Sequence, residues 1–278
     1  MAPAAERDQV TRALHENADA PRIVDAAITT FHAERGDEKL APLVIVIAAL
    51  NEASGIGPVI DELPDTICDL AVTVLVIDDG STDGTEGVAL EHGAQVCRLE
   101  RNCGHGTALR AGYRIAREGG ARYIATLDAD GQWDPGDLPA MVSLLETDRA
   151  DLVIGSRRLG STENTDAVRN LGVRFFSALI SFTTRAHITD SSSGLRAMRV
   201  EVTAKVRQTQ PQYQTSELLI GAIMNGFRVA EVPTVMRVRN AGESKKGKNT
   251  FYGVRYFQVI SRTLLREWRD RILRSRSH

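Results

Sequence analysis

The first candidates for chemistry are two aspartates separated by one residue, Asp128 and Asp130, in a stretch that continues to Gln132. They follow the apolar segment 123–127, which predicts that they lie at the end of a strand. If the strand geometry persists, alternate side chains point the same way, so the two carboxylates and the Gln132 amide share one side. Such hard oxygen ligands suit Mg²⁺ or Mn²⁺, which commonly bind one or two carboxylates together with substrate phosphates. The pair therefore predicts a metal site that binds a diphosphate.

Two other predicted strands also end in acidic or amide residues, namely Asn51 with Glu52 and Asp78 with Asp79. Any one of these ends is explained equally well by a turn or a helix cap, because Asp and Asn favour both. Three together favour one site. The loop 77–85 lacks the ligand spacing of a calcium loop. It instead predicts a tight turn that opens a helix, with carboxylates able to accept hydrogen bonds from a nucleobase or ribose.

The second half of the chain adds charged side chains that could meet a phosphorylated ligand. Asp190 opens a serine-rich run that ends at Arg196, Glu217 follows, and Arg239 and Lys245 flank a glycine turn. Arg can hold phosphate oxygens through two parallel hydrogen bonds, whereas Lys acts as a point charge. A phosphate clamp and an ordinary solvated loop both fit the last segment.

These residues must be positioned by a regular scaffold, and the chain alternates strand and helix patterns to about residue 155. Apolar strands buried on both faces are typical of a parallel sheet. The alternation predicts an α/β fold with a mostly parallel, doubly wound sheet and helices on both faces, whose ligands bind at the carboxyl ends of the strands. Residues 160–166 are polar and aperiodic, which predicts a loop. The patterns predict strands at 43–48, 72–77, 94–99, 123–127 and 151–154, and helices at 58–63, 84–91, 107–118 and 135–146.

Several common chemistries lack their sequence patterns. The glycines at 104, 106 and 112 do not form the G-x-G-x-x-G fingerprint, which disfavours a nicotinamide dehydrogenase. No G-x-S-x-G, H-E-x-x-H or paired Cys/His pattern supports serine hydrolase or zinc chemistry. The three cysteines are odd in number and form no C-x-x-C pair, so we expect reduced thiols.

The composition is that of an ordinary globular protein, with 278 residues, 42% hydrophobic and 25% charged, and a net charge of -2. It excludes disorder, collagen and coiled coil. The longest apolar run, 40–50, is too short to cross a bilayer, and the N-terminus lacks the pattern of a secretory signal, so we expect a cytoplasmic protein. The charge is uneven: residues 237–278 carry twelve Lys and Arg against three acids. A basic block of this kind suits nucleic acid, anionic lipid or phosphorylated small molecules.

The order of the motifs resembles that of family 2 glycosyltransferases, in particular the branch of dolichol-phosphate and polyprenyl-phosphate mannosyl- and glucosyltransferases. The likeness covers about residues 42–250. Each motif is ordinary alone, whereas the series is specific. The motifs are Asn51-Glu52, the loop 77–85, residues 102–108, residues 128–132, Gly155-Ser156-Arg157, residues 190–196 and residues 239–245.

The resemblance implies a glycosyltransferase A-type fold, in which a Rossmann-like domain binds a nucleotide sugar. It implies an inverting hexosyltransferase that uses Mg²⁺ or Mn²⁺, held by Asp128, Asp130 and Gln132 with the diphosphate. The family commonly has Pro-x-Tyr-Asn-Glu after the first strand, but here Ala48 and Leu50 replace the Pro and the Tyr, which leaves the nucleobase open. The residues that the resemblance places at the nucleotide are Ala48, Leu50, Glu52, Ile77, Asp79 and Ala129.

For the acceptor side, the resemblance implies that Arg157, Arg239 and Lys245 hold the diphosphate or the acceptor phosphate. Asp190 and Glu217 match acidic positions there. A lipid phosphate is already ionised near neutral pH, so positioning and charge stabilisation can supply most of the catalysis. If the acceptor is a hydroxyl, Asp190 or Glu217 is the candidate base. The expected catalytic set is Asp128, Asp130, Asp190, Glu217 and Arg239.

Relatives can carry C-terminal transmembrane helices, and this chain has a different pattern there. Residues 250–275 place apolar side chains three or four apart with arginines between them, which predicts an amphipathic helix. Such a helix fits either the surface of an anionic membrane or packing on its own domain. We predict three parts: an N-terminal helical extension at 1–41, the glycosyltransferase domain at 42–250 and the basic amphipathic helix at 251–278.

The predicted function is inverting, metal-dependent transfer of a hexose from a donor of the GDP-mannose or UDP-glucose type to a polyprenyl phosphate. The protein would act as a peripheral protein on the cytoplasmic face of a membrane. Two alternatives stay open: the same donor chemistry with a soluble hydroxyl acceptor such as a secondary metabolite, and a non-catalytic nucleotide-sugar-binding protein. Nucleic acid is not an expected partner, since no such motif accompanies the basic tail.

Overall fold

The first half of the chain alternates strands and helices, as its hydrophobic pattern predicts. The structure, a computed structural model, describes residues 18–36, 38–163, 167–210, 213–237 and 250–275, with only the backbone at 167–169, 250–255 and 274–275. The elements of this half are α1 (Ala20–Arg35), β1 (Leu43–Ala49), α2 (Ala53–Asp61), β2 (Thr66–Ile67), β3 (Leu70–Asp78), α3 (Thr85–Glu91), β4 (Gln95–Arg98), α4 (His105–Glu118), β5 (Tyr123–Asp128) and α5 (Leu138–Glu146).

The second half is more helical, and most of its elements were not predicted from the sequence. Its strands are short or irregularly paired, and its helices lie close together in the chain. The elements are β6 (Leu152–Thr162), α6 (Ala167–Thr184), β7 (Arg196–Arg199), α7 (Val200–Lys205), α8 (Gln214–Met224), β8 (Val229–Met236) and α9 (Thr250–Ser275).

One mixed sheet joins the two halves. The strand order is β2-β3-β1-β5-β7-β6-β8, and β4 pairs with β3 at the outer edge. The strands β4, β3, β1 and β5 are parallel, and β7 runs antiparallel to its two neighbours, β5 and β6. The strand β8 is parallel to β6. The predicted α/β fold with a mostly parallel central sheet is confirmed.

The sheet is covered on both faces because its central strands are apolar on both sides. All seven residues of β1 are buried. Val44 and Val46 lie in one core with α4, whereas Ile45 and Ile47 lie in a second core with α5. Fully burying one such side chain stabilises the fold by about 1.5–3 kcal/mol. The two cores therefore hold the strands in place from both faces of the sheet, and with them the strand ends where the candidate site lies.

Two boundary predictions were wrong. The helix expected at 58–63 runs from Ala53 to Asp61 and has Pro58 in its interior, where the missing N–H removes one helical hydrogen bond. The loop expected at 160–166 begins as strand, because β6 continues to Thr162 beside β8. A Cβ on Gly160 would lie 2.2 Å from the Thr234 carbonyl oxygen, so glycine permits this close backbone approach. Residues 164–166 lie outside the described residues.

The first and last described helices both pack on the sheet domain. In α1, Pro21 lies in the first turn, where proline is tolerated, and Ile28 and Phe31 are buried in the core that contains α4. Residues 1–17 of the predicted extension lie outside the described residues. Helix α9 buries Tyr256 and Ile260 and contacts α8 and α6. Among the described residues, no helix is long and apolar enough to span a membrane. The boundaries at residues 42 and 250 stay a prediction.

Candidate active site

The acidic ends of three parallel strands lie side by side. In the register of the sheet, Ala48 of β1 pairs with Ile77 of β3 and with Asp128 of β5, and Ala49 pairs with Asp78. The segments that follow these strands therefore all leave the sheet at the carboxyl ends of its parallel strands. Parallel α/β sheets bind their ligands at this end.

The segment after β1 is fastened to the segment after β3. The Asn51 side chain accepts a hydrogen bond from the Thr82 amide (2.8 Å), and the Glu52 amide donates to the Thr85 hydroxyl (2.9 Å). Asn51 adopts a left-handed backbone conformation (φ 51°), which Asn tolerates better than most residues. The predicted nucleotide residue Glu52 is therefore held at the rim of the loop 77–85.

The two aspartates after β3 have different partners. Asp78 is fully buried, accepts from the Ser81 amide (2.8 Å) and pairs with Arg98 (2.7 Å). Asp79 accepts hydrogen bonds from the amides of Cys103 (2.7 Å) and Gly104 (2.9 Å) at the start of α4. Burial raises the pKa of Asp79 to about 6, with a smaller contribution from the Asp78 charge, although the two amides lower it. Asp79 therefore binds a proton more readily than an ordinary carboxyl group.

The remaining predicted nucleotide residues are more enclosed. Ile77 has no accessible surface and Ala48 is 8% exposed. Leu50 is half-buried. A nucleotide could touch Ile77 only if the loops above it moved. The carbonyl oxygen of Ala129 lies 3.2 Å from the place where a Cβ on Gly55 would be, so α2 passes close to the turn after β5.

The two aspartates of the predicted metal site do not follow strand alternation, because β5 ends at Asp128 and a turn follows. The Asp128 carboxylate accepts a hydrogen bond from the indole N–H of Trp133 (3.0 Å). The Asp130 carboxylate accepts a hydrogen bond from the backbone amide of Gln132 (3.1 Å). The Gln132 side chain donates to the Arg237 carbonyl (3.3 Å). The turn, and not an extended strand, holds the two carboxylates.

The donor set suits a hard divalent ion. Asp128 and Asp130 supply carboxylate oxygens, and among the described residues no group of three or more His, Cys, Asp or Glu could hold a metal. A Cβ on Gly194 would lie 2.6 Å from Oδ2 of Asp128, so only glycine lets the loop before β7 approach this carboxylate so closely. An ion here would need oxygens from water or a ligand to complete its shell, as Mg²⁺ and Mn²⁺ commonly do.

Two predicted acceptor-side residues are paired with each other. The Arg157 guanidinium donates from Nε to Asp190 Oδ2 and from Nη2 to Asp190 Oδ1, both at 2.6 Å. It also lies over the Trp133 ring, 5.5 Å from the ring centre. Burial alone would raise the pKa of Asp190, but the guanidinium outweighs it and holds the pKa below its ordinary value. The pair is thus a buried, charged unit beside the Asp128 turn.

Glu217 lies elsewhere. It is fully buried in α8 and accepts hydrogen bonds from the amides of Thr209 (2.8 Å) and Gln210 (3.0 Å). Arg266 of α9 forms an ion pair with it at 2.8 Å. The structure thus joins Glu217 to α9 and not to the strand ends. Arg239 and Lys245, the other two predicted residues, lie outside the described residues.

Three residues at the site were missed by the sequence analysis. Trp133 follows the aspartate pair directly and could have been found as an indole N–H donor within reach of it. Gly194 lies in the serine-rich run and could have been suspected as a close-approach glycine. Glu231 of β8 gave no signal, because that strand was not predicted. Its carboxylate accepts from the backbone amides of Thr189 (2.8 Å) and Asp190 (2.9 Å).

Comparison with known proteins shows the family of the chain. Residues 44–207 match the model of glycosyl transferase family 2, and the chain belongs to this family. The dolichyl-phosphate hexose transferase of Haloferax volcanii is 33% identical over 203 residues, which cover 73% of this chain and 86% of that protein. The undecaprenyl-phosphate mannosyltransferase of Micrococcus luteus is 29% identical over 221 residues, with the same two coverages, 73% and 86%. The chain is thus a family 2 glycosyltransferase.

Solved structures show the same fold. The glucosyl-3-phosphoglycerate synthase of Mycobacterium tuberculosis, in complex with Mn²⁺, uridine diphosphate and glucosyl-3-phosphoglycerate, matches with a TM-score of 0.62 at 24% identity. The match covers 86% of this chain and 83% of that one. The same enzyme in complex with Mg²⁺ and uridine diphosphate gives a TM-score of 0.62. These matches confirm the glycosyltransferase A-type fold.

Proposed function

We propose that this protein transfers a hexose from a nucleoside-diphosphate sugar to a polyprenyl phosphate. An oxygen of the acceptor phosphate attacks the anomeric carbon, the bond from that carbon to the diphosphate breaks, and the configuration inverts. The nucleoside diphosphate leaves with the bonding electron pair. The observation that carries the proposal is the Asp128 turn lying beside a buried guanidinium, Arg157. Two relatives that are named for transfer to lipid phosphates support it.

In this proposal the parallel strand ends bind the donor. Glu52 and Asp79 face the nucleoside, with Ala48, Leu50 and Ala129 beside it, whereas the fully buried Ile77 lies behind these residues and touches no nucleotide. Asp128, Asp130 and Gln132 would hold the metal ion. A bound Mg²⁺ or Mn²⁺ would offset the charge that develops on the leaving diphosphate. The side-chain hydrogen bond from Trp133 to Asp128 keeps one carboxylate oriented before the donor arrives.

The acceptor side favours a phosphate over a hydroxyl. A hydroxyl needs a base, but Asp190 has a lowered pKa and both of its oxygens accept hydrogen bonds from Arg157. Glu217 is not at the strand ends: its Oε1 accepts a hydrogen bond from Arg266 of α9, and its Oε2 accepts from the backbone amides of Thr209 and Gln210. A phosphate acceptor already carries its charge, so it needs cations and positioning instead. We assign that role to Arg157, whose Nη1 is not bonded to Asp190, and to Arg239 and Lys245 from the resemblance alone.

Contact with a membrane is the remaining part of the proposal. Helix α9 buries one side against the domain and exposes Leu265 (69%) and Trp268 (64%) on the other, with the exposed Arg262 and Arg269 beside them. Apolar side chains flanked by arginines suit the interface of an anionic bilayer. Both predicted roles of this helix are therefore combined in the proposal, since it packs on its domain and presents a second face outward.

The experiment is a donor and acceptor panel. The purified chain is incubated with Mg²⁺ or Mn²⁺ and GDP-, UDP- and dTDP-sugars, with and without a short polyprenyl phosphate, and release of nucleoside diphosphate is measured. We expect release that needs one donor, the metal and the lipid phosphate together. Donor binding without lipid-stimulated release would favour a soluble acceptor. Failure to bind any donor would contradict the enzyme assignment of the site.

The variant Arg239→Ala extends the panel to the predicted phosphate contacts. We expect weaker diphosphate binding and slower transfer, because a cation that neutralises phosphate charge is lost. The matched control is Arg122→Ala, which lies at the amino end of β5, opposite the strand ends of the site. Equal diphosphate affinity in the two variants would remove Arg239 from the proposed site.

A further inference from the structure

Tyr256 of α9 is a polar side chain in the middle of an apolar contact. It is 5% exposed. Its ring packs edge-on against Phe176 of α6, with ring centres 4.5 Å apart, and lies 5.3 Å from the ring of Tyr213. A phenylalanine would fill this space equally well. A hydroxyl buried here must instead find hydrogen-bond partners, because leaving it unpaired costs stability.

Its partners are hydroxyls from other parts of the fold. The Tyr256 hydroxyl makes a short hydrogen bond with the Ser216 hydroxyl of α8 and lies 3.5 Å from the Ser191 hydroxyl. The Ser177 hydroxyl of α6 donates to the Ser191 hydroxyl at 3.1 Å and accepts from the Ser191 amide at 3.0 Å. We call these four residues the hydroxyl cluster. It joins three helices to one loop residue, Ser191.

Ser191 directly follows Asp190, so the cluster is fastened to the charged pair at the site. Asp190 binds Arg157, and Arg157 lies over the ring of Trp133. Trp133 in turn donates to Asp128. An unbroken series of contacts therefore runs from α9 to the predicted metal-binding turn. Tyr256, Ser191, Asp190 and Trp133 are all buried, so a displacement at one end has little room to be absorbed.

A second buried group secures the same loop. Arg196 is 1% exposed, and its guanidinium donates to the carbonyls of Ser191 (3.0 Å) and Ser193 (3.0 Å). It also donates to the Thr215 carbonyl, next to Ser216. Arg196 thus fixes the backbone carbonyls around Ser191. The hydroxyl cluster, which includes Tyr256 of α9, binds the Ser191 side chain and backbone amide.

We propose that Tyr256 is a positioning residue, through which the seating of α9 sets the orientation of the Asp190–Arg157 pair. The expected effect on sugar transfer rests on the proposed function, whereas the expected effect on the loop around Ser191 does not. The helix that faces the membrane is then also part of the support of the acceptor site. Tyr256 acts through Ser191 and touches no substrate.

The test compares Tyr256→Phe with Tyr123→Phe. Tyr123 is a matched control because it is 1% exposed and its hydroxyl is also hydrogen-bonded, to Arg122 (3.3 Å) and to Glu146, but at the far end of β5. We expect Tyr256→Phe to lower kcat for transfer to a polyprenyl phosphate roughly three- to tenfold, as expected for one lost hydrogen bond. The donor KM and the affinity for Mn²⁺ with UDP should stay within about twofold of wild type.

Amide hydrogen exchange in residues 189–195 supplies a readout that needs no activity. We expect exchange in this segment to be at least about threefold faster in Tyr256→Phe and unchanged in Tyr123→Phe. Adding Ser191→Ala to Tyr256→Phe should cost little more than either change alone, because the two groups act as one unit. Global unfolding by urea reports separately whether either variant is merely less stable.

The outcomes separate the two proposals. If wild type transfers no sugar to any lipid phosphate, the proposed function fails, and the exchange measurement still decides whether Tyr256 supports the loop. Unchanged exchange in residues 189–195 of Tyr256→Phe would overturn the inference, whatever the activity. A uniform loss of kcat, donor affinity and global stability would also overturn it, since that result describes a packing residue.

Discussion

The parallel half of the sheet and the mixed half support the site in different ways. In the parallel half (β4, β3, β1 and β5), carboxylates accept hydrogen bonds from nearby backbone amides, as Asp78 does from Ser81 and Asp130 does from Gln132. In the mixed half (β7, β6, β8 and α6–α9), charged side chains hold each other across long stretches of chain, as Arg157 and Asp190 do. Backbone amides are thus the main partners of the carboxylates on one side, and on the other the buried carboxylates Asp190 and Glu217 each also pair with a distant arginine.

The same contrast appears in the electrostatics. Asp79 and Asp190 are both buried, but their pKa values move in opposite directions. The partners of Asp79 are two amides, which offset its burial only in part. Asp190 has a full positive charge against both of its oxygens. Burial therefore makes one carboxylate easy to protonate, and the ion pair keeps the other ionised.

The largest effect is expected from breaking the buried pair with Arg157→Met. The Asp190 carboxylate would lose its charge partner while 0% exposed, so we expect a loss of about 3–5 kcal/mol in the free energy of unfolding. Urea unfolding measures it. Arg122→Met, which breaks the exposed pair with Glu146, should cost less than about 1 kcal/mol. Similar losses in both would contradict the contrast between a buried and an exposed pair.

The next largest effect concerns the parallel half alone. Asp130→Asn removes one carboxylate charge from the predicted metal site and should slow transfer at least about 100-fold. The fold should persist, since the Asn side-chain oxygen can still accept from the Gln132 amide. Asp65→Asn, at an exposed position near the amino end of β3, is the control. Normal turnover in Asp130→Asn would remove this residue from the metal site.

The opposite pKa directions predict opposite pH dependence. Because the pKa of Asp79 is raised to about 6, the folded protein binds more protons than the unfolded chain between about pH 4 and 6. This residue therefore lowers stability as the pH rises through that window. The free energy of unfolding of Asp79→Asn, measured in urea relative to wild type, should therefore rise by on the order of 2–3 kcal/mol from pH 4 to pH 7.

Asp190→Asn is the counterpart in the mixed half. A lowered pKa contributes stability above the ordinary pKa of the unfolded carboxyl, and this stability is lost as the pH falls. The stability lost by this variant should therefore stay level above about pH 5 and shrink below it. Parallel pH profiles for the Asp79 and Asp190 variants would show that the two environments do not differ as described.

The smallest effect tests the outer surface of the mixed half. Trp268→Ala removes an exposed aromatic side chain of α9 and should weaken binding to vesicles of anionic phospholipid about fivefold, measured by sedimentation. Leu90→Ala is the control, because Leu90 is 54% exposed on α3 in the parallel half. Equal loss in the two variants would mean that α9 has no preferred contact with the bilayer.

The sequence predicted the parallel half well. The β-branched segments gave β1, β3, β4 and β5 to within two residues, and the acidic strand ends were placed at one edge. These features depend on local composition and on the geometry of parallel sheets. The roles assigned to the individual site residues remain predictions. Strand alternation after Asp128 was wrong, because a turn begins there.

The mixed half could not be read in the same way. The strand β7 has four residues, and β8 alternates exposed and buried positions only in part. The pairing of Arg157 with Asp190 depends on β6 and the loop before β7 meeting in space, at a separation of 33 residues. The ion pair of Glu217 with Arg266 depends on α9 docking against α8. No local sequence pattern predicts such tertiary contacts.

The central position of β7 has a consequence for the order in which the chain can acquire its structure during synthesis. The strand β6 is made before β7, yet β7 lies between it and β5. At roughly 5–20 residues per second, the ribosome needs a few seconds to advance from Thr162 to Arg199. During that time the nascent chain presents β5 as an open sheet edge, which is the state most exposed to wrong pairing. A slowed codon stretch between these strands would therefore lower the yield of native protein without changing any residue.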